Sequence, residues 1–165
     1  MINENENSTY NAIGQNLLSQ FESTWKMLRK AIERCPEEKW ELTENSWTFS
    51  TIVYHIIETQ EFYLRSSPKG MEWNKLLKLM RIKTKNDELL FLSKSTLFEN
   101  LRTIEEQMTN YFGNITLDEL LKKDDFEWFD SLFHKFLYLL RHNAHHLGEL
   151  GRMLREWNAP RMEWD

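Results

Sequence analysis

Two histidines, His142 and His146, stand four residues apart in the stretch RHNAHHLGEL, residues 141–150. On a helix that spacing puts both imidazoles on one flank, a turn apart. Their nitrogens can then aim at one point beside the helix, as helical His pairs that bind zinc-like ions do. At about 100° per residue, Phe136, Leu140, Asn143, Leu147, Leu150 and Leu154 make the inward stripe, with His146 roughly 60° and His142 roughly 100° from its centre. His145 points almost directly away. Two ligands rarely hold an ion tightly, so a third should come from a neighbouring helix. His55 is the candidate: it lies roughly 130° off the aliphatic centre of its own helix, on a flank shared with Thr59 and Phe62. Three neutral imidazoles leave a position for water or a substrate atom, which is the arrangement of catalytic rather than structural sites, and they suit zinc, nickel, copper or iron. The competing reading is a set of flank histidines that bond their neighbours or water. That role is expected for His134 and His145.

Other residue types invite chemistry and have plainer alternatives. Glu58, one turn beyond His55, could accept a proton or hold an imidazole; the plain alternative is a solvated surface carboxylate. Asn143 sits at the centre of its stripe, where its amide must find partners. Cys35, the lone cysteine, reads as a small semi-buried residue at a helix end. Of the tryptophans, Trp25 falls on a core stripe, Trp40 and Trp47 bracket the first loop as caps of the bundle end, and Trp128 and Trp157 could do the same elsewhere. Trp164 could fold back on the body or touch a partner chain. Gly148 and Gly151 cost helix propensity, which points to close approach by another helix or subunit.

The elements that must position these groups are helices. After a loose tail at residues 1–7, Ile13, Leu17, Leu18, Phe21, Trp25, Leu28 and Ile32 recur at helical spacing, until Cys35 and Pro36 stop the run. A polar loop leads to Trp47. Thr48 to Thr51 then offer hydroxyl caps to a second helix that ends near Ser66. A crossover follows, with a short helix suggested by Met71, Trp73, Leu76, Leu77, Met80 and Ile82 and a charged break from Lys83 to Asp87. The third helix spans roughly residues 95–112 and is ended by Gly113 and Asn114. A short segment with Leu117, Leu120 and Leu121 leads to the last helix, roughly residues 130–157, closed by Asn158 and Pro160. Four amphipathic stripes of this kind are buried by one all-α four-helix bundle, and the long crossover lets the second and third helices lie parallel.

Composition sets the class. The chain has 165 residues, 41% hydrophobic, with five Gly and three Pro, which suits one packed helical domain. Its formal charge of −5, with Lys and Arg scattered among acids, disfavours nucleic acid. No membrane span is apparent. The polar, acidic start lacks the features of a signal peptide, so cytoplasm is expected.

The run WTFSTIVYHIIETQEFYL, residues 47–64, resembles the capped second helix of the DinB-like family (the DinB and YfiT branches), with a histidine about two turns in. HNAHHLGEL, residues 142–150, is similar to that family's late His-x-x-His-His-Arg-Gly-Gln-Leu signature, with Leu147 where Arg is frequent and Glu149 where Gln is frequent. The resemblance covers nearly the whole chain. It implies the bundle with its second and third helices parallel, and a zinc or nickel ion held by His55, His142 and His146. It further implies frequent homodimers and metal-dependent hydrolysis or transfer of low-molecular-weight thiols on a small-molecule substrate. Substitution at Leu147 and Glu149, beside the metal, bears on which substrate. A non-catalytic metal- or ligand-binding dimer in a stress response is the alternative function, and a dimeric scaffold without metal is a further one.

Overall fold

The computed structural model describes residues 4–41, 47–75 and 92–163. The helices are α1 (Glu4–Arg34), α2 (Glu37–Trp40), α3 (Phe49–Leu64), α4 (Lys94–Asn114), α5 (Leu117–Leu120) and α6 (Leu132–Glu156). Among the described residues there is no strand. The four long helices are those expected from periodicity, and α2 and α5 are single turns between them. α2 occupies part of the stretch expected to be loop, with Glu37 and Glu38 in its first turn, where carboxylates complement the helix dipole. Residues 4–7, expected in the tail, are helical and belong to α1. Of the short helix suggested from Met71 to Ile82, residues 71–74 are not helical, Asn74 taking φ 59°; its part from Leu76 on, the break from Lys83 to Asp87, and Trp164 lie outside the described residues.

Local signals set the ends. Thr48, Ser93, Thr116 and Ser131 each accept a hydrogen bond from the backbone N–H three residues on, capping α3, α4, α5 and α6. Thr116 and Glu119 complete a reciprocal capping box. α4 runs through both Gly113 and Asn114, two residues past the expected end, and yields to the Thr116 cap. α6 ends as expected before Asn158, which takes φ 53° and turns the chain toward Pro160.

Side-chain contacts give the helix directions. Arg29 bonds Glu105 at 3.1 Å, and Lys94 Nζ donates to the Cys35 carbonyl, so α1 and α4 are antiparallel. Phe21 meets Phe136 while Arg34 reaches Glu163, so α1 and α6 are parallel. Phe49 packs on Trp157 and Tyr63 on Tyr138, so α3 and α6 are antiparallel. It follows that α3 and α4 run the same way, as the long connection between them allows. α1 and α3 each lie against α4 and α6, and Trp25 Nε1 donates to Gln60 Oε1 at 2.7 Å across the interior. The buried apolar residues form one cluster.

Two details of the core bear on the site. The inward stripe of α6 is Lys135, Phe136, Leu139, Asn143, Leu147, Leu150 and Leu154. Leu139 fills the stripe in place of the expected Leu140, which is only partly buried, and Lys135 joins the buried face, paired with Asp124. At the other end of α1, a Cβ built on Gly14 would stand 3.1 Å from the Phe112 carbonyl oxygen and 3.2 Å from Ile115 Cγ2. Helix propensity alone favours Gly14→Ala by about 1 kcal/mol. Because a backbone carbonyl cannot swing aside, we expect this substitution to lower stability by about 1 kcal/mol instead, as overpacking does. Urea denaturation decides the sign.

Candidate metal centre

His55 lies on α3, two turns after the Thr48 cap, and His142 and His146 lie on α6. Because α3 and α6 are antiparallel neighbours, the middle of one faces the middle of the other. The three imidazoles meet there, with ring centroids 5.0 Å (His55 to His142), 4.8 Å (His55 to His146) and 4.5 Å (His142 to His146) apart. Their candidate ligand nitrogens all lie within 4.8 Å of one another. Nε2 of His55 is 3.1 Å from Nε2 of His142. Two nitrogens bound to one ion at about 2.0–2.1 Å stand about 3.3 Å apart in tetrahedral geometry and about 2.9 Å at right angles, so the observed spacing fits a shared ion.

The electronic state also fits. Burial, aided by the neighbouring imidazoles, holds both His55 and His142 down at about 4, so both are neutral with lone pairs available at neutral pH. Nδ1 of His142 is buried without a geometrically sound hydrogen bond, with the Asn143 amide as its polar neighbour. Asn143 is itself fully buried. His146 is oriented from behind: its Nδ1 is 2.6 Å from Glu149 Oε2, which leaves Nε2 for the cluster. No carboxylate or thiol joins the three imidazoles as a fourth ligand among the described residues.

His145 is not one of these three: it is 68% exposed, its ring centroid is 5.0 Å from that of His146, and its Nε2 is 3.6 Å from Glu149 Oε1, so that His145, His146 and Glu149 form a second, more exposed group of possible ligands. His134 is half exposed and faces Asp130. Glu58 is not at the surface. It is 3% exposed, and its Oε1 accepts hydrogen bonds from the Tyr54 hydroxyl at 2.8 Å and from the Asn74 backbone N–H at 2.5 Å. No hydrogen bond joins it to the imidazoles. It ties the start of the crossover to α3, where Asn74 adopts φ 59°.

Two residues at the site were not assigned to it by sequence reasoning. Trp47, expected to cap the bundle end, stands edge-on to His55 at 5.2 Å and parallel to His146 at 6.3 Å, and remains 49% exposed. Trp40 goes into the core instead, its Nε1 donating to the Leu92 carbonyl. Glu149 was recognised only as a departure from a motif; its place three residues after His146 on one helix was the available signal. A hollow of about 380 Å³ opens beside His146, walled by Trp47, Ile52, Glu149, Arg152 and Met153.

Residues 20–150 match the sequence model of the DinB superfamily. The chain belongs to the DinB superfamily. The match includes α3 with His55 and the late motif with His142 and His146, so all three members of the cluster fall in the part shared with this superfamily. No curated protein matches the chain. No helix among the described residues is long and apolar enough to cross a membrane.

Proposed function

We propose that this DinB superfamily protein is a divalent-metal-dependent enzyme, of hydrolase or low-molecular-weight-thiol S-transferase type, in which His55, His142 and His146 hold one zinc or nickel ion. The observation that carries the reading is the convergence of three imidazoles from two helices, with no fourth protein ligand among the described residues. Bound there, such an ion supplies Lewis acidity that makes a water or thiol nucleophilic at neutral pH. The chain's own groups do the rest. Glu149 fixes the His146 ring by taking its Nδ1 side, Trp47 screens His55 and His146 from solvent on one side, and the hollow beside His146 admits a small molecule.

Cytoplasmic residence and homodimerisation belong to the same proposal. The first is supported by the lone cysteine, Cys35, which can form no disulfide within the chain. The second is supported by Leu121, Trp128 and Leu137, large apolar side chains left exposed.

Elemental analysis of untagged protein tests the metal. We expect about one equivalent of zinc or nickel in the wild type, lost in His55→Ala, His142→Ala and His146→Ala and kept in His145→Ala. A wild type that binds less than roughly a tenth of an equivalent after incubation with both ions would remove the proposal. Metal bound without turnover on amide, ester and thiol-transfer substrates would favour the non-catalytic binding protein.

A further inference from the structure

A groove of about 610 Å³ runs between α1 and α6 and is lined by none of the three clustered histidines. Its floor is apolar, from Met27 on α1, Leu140 and Leu147 on α6, and Met162 beyond the helix end. Missing side chains hollow it out. A Cβ built on Gly148 meets nothing within 4 Å, and one on Gly151 meets only Met162 Cε at 3.4 Å. These are the glycines whose cost in helix propensity called for a close neighbour, and among the described residues only Gly151 has one, the Met162 methyl.

The rim carries charge of one sign. Arg141, Arg155 and Arg161 line the groove, and no Asp or Glu does. Among the described residues none of the three forms an ion pair; Arg141 lies over the Tyr138 ring instead. In a chain of net charge −5, three guanidiniums without carboxylates around an apolar floor are a local reversal. Guanidinium binds oxyanions in bidentate geometry, and the volume lies within the range of about 300–1,000 Å³ typical of small-molecule sites.

We propose that this groove binds an amphipathic carboxylate, its apolar chain laid over Met27, Leu147 and Met162 and its head group held by Arg155 and Arg161. A second copy of this chain is the less favoured occupant. Two concave faces related by a two-fold axis enclose a void, and their arginine rims would oppose one another without acids between them.

Calorimetric titration of the full, metal-loaded protein with sodium decanoate below its micellar concentration tests this, with acetate and decyltrimethylammonium as controls. We expect saturable 1:1 binding of decanoate and none of either control. Arg155→Glu/Arg161→Glu, on exposed side chains, should weaken decanoate about tenfold or more. Gly148→Leu, which fills open space, should abolish binding with an unchanged helical spectrum. Metal content should stay the same in all variants, so failure here is distinct from failure of the metal proposal. The idea is overturned if wild type shows no saturable binding, if the cationic amphiphile binds as well, or if the arginine variants bind like wild type. It is equally overturned if Gly148→Leu splits a wild-type dimer into monomers in sedimentation, which would assign the groove to a second copy.

Discussion

Lys135→Ala should lower the unfolding free energy by about 3–5 kcal/mol, the cost of leaving a buried charge without its partner. The Lys135 side chain is 1% exposed and that of Asp124 12%. Its ammonium pairs with Asp124 Oδ2, donates to the Arg65 carbonyl at 2.9 Å, and lies 4.6 Å from the Phe126 ring centroid. Burial holds its pKa below the usual lysine value, and the Asp124 carboxylate opposes that shift. One atom thus joins three segments: the end of α3, the turn before α6, and α6 itself. Truncation to Ala strands the Asp124 carboxylate and the Arg65 carbonyl in a ring-lined pocket. Lys135→Met keeps the stem's packing and removes the charge, so most of the loss should remain. Adding Asp124→Asn to Lys135→Met should recover at least about 1 kcal/mol, because the stranded charge is gone while a polar group still accepts from the Phe126 N–H. Urea titrations of the two single variants and the double variant measure this. A Lys135→Ala protein within about 1 kcal/mol of wild type would show that solvent reaches the pair and screens it.

The same residue marks where periodicity stops being informative. Apolar spacing located all four long helices, and a hydroxyl cap at Thr48 and a stop at Asn158 marked the start of the second and the end of the last, since these signals act within one turn of themselves. The inward turn of Lys135 is not local. Its partner Asp124 lies in a turn that carries no helical pattern, and the stripe read from spacing alone includes Leu140 where the structure buries Leu139 and omits Lys135. The histidine cluster is legible in halves. The i, i+4 pair on α6 follows from spacing, but its meeting with His55 requires α3 and α6 to be antiparallel neighbours at matched height, a property of the packed bundle. Trp47 was beyond reach for the opposite reason: it precedes the helix, and the turn at Thr48 directs it toward His55 and His146. Glu58 shows the risk of arguing from proximity along one helix. One turn from His55, it faces the crossover, where Tyr54 and Asn74 occupy its Oε1.

Glu149→Leu should weaken divalent-metal binding about 10–100-fold, the usual consequence of removing a partner that orients a ligating imidazole. The carboxylate oxygen 2.6 Å from His146 Nδ1 does two things. It selects the tautomer with hydrogen on Nδ1, which leaves the Nε2 lone pair free toward His55 and His142. Its negative charge also makes that lone pair more basic. Leucine keeps the bulk of the side chain and does neither, so the ring is free to turn and the wrong tautomer competes. Glu149→Gln separates the two effects: an amide oxygen still accepts from Nδ1–H but brings no charge. It also restores the residue frequent at this position in the DinB-like motif. Its affinity should therefore lie between those of wild type and Glu149→Leu. His145 reaches the other oxygen of Glu149 only at 3.6 Å and is 68% exposed, so His145→Ala should change affinity less than about twofold. Competition with a chromophoric chelator at fixed pH reads all three. If Glu149→Leu binds zinc and nickel like wild type, the contact is a surface ion pair with no hold on the ring, and His146 must be kept in place by Trp47 and the helix alone.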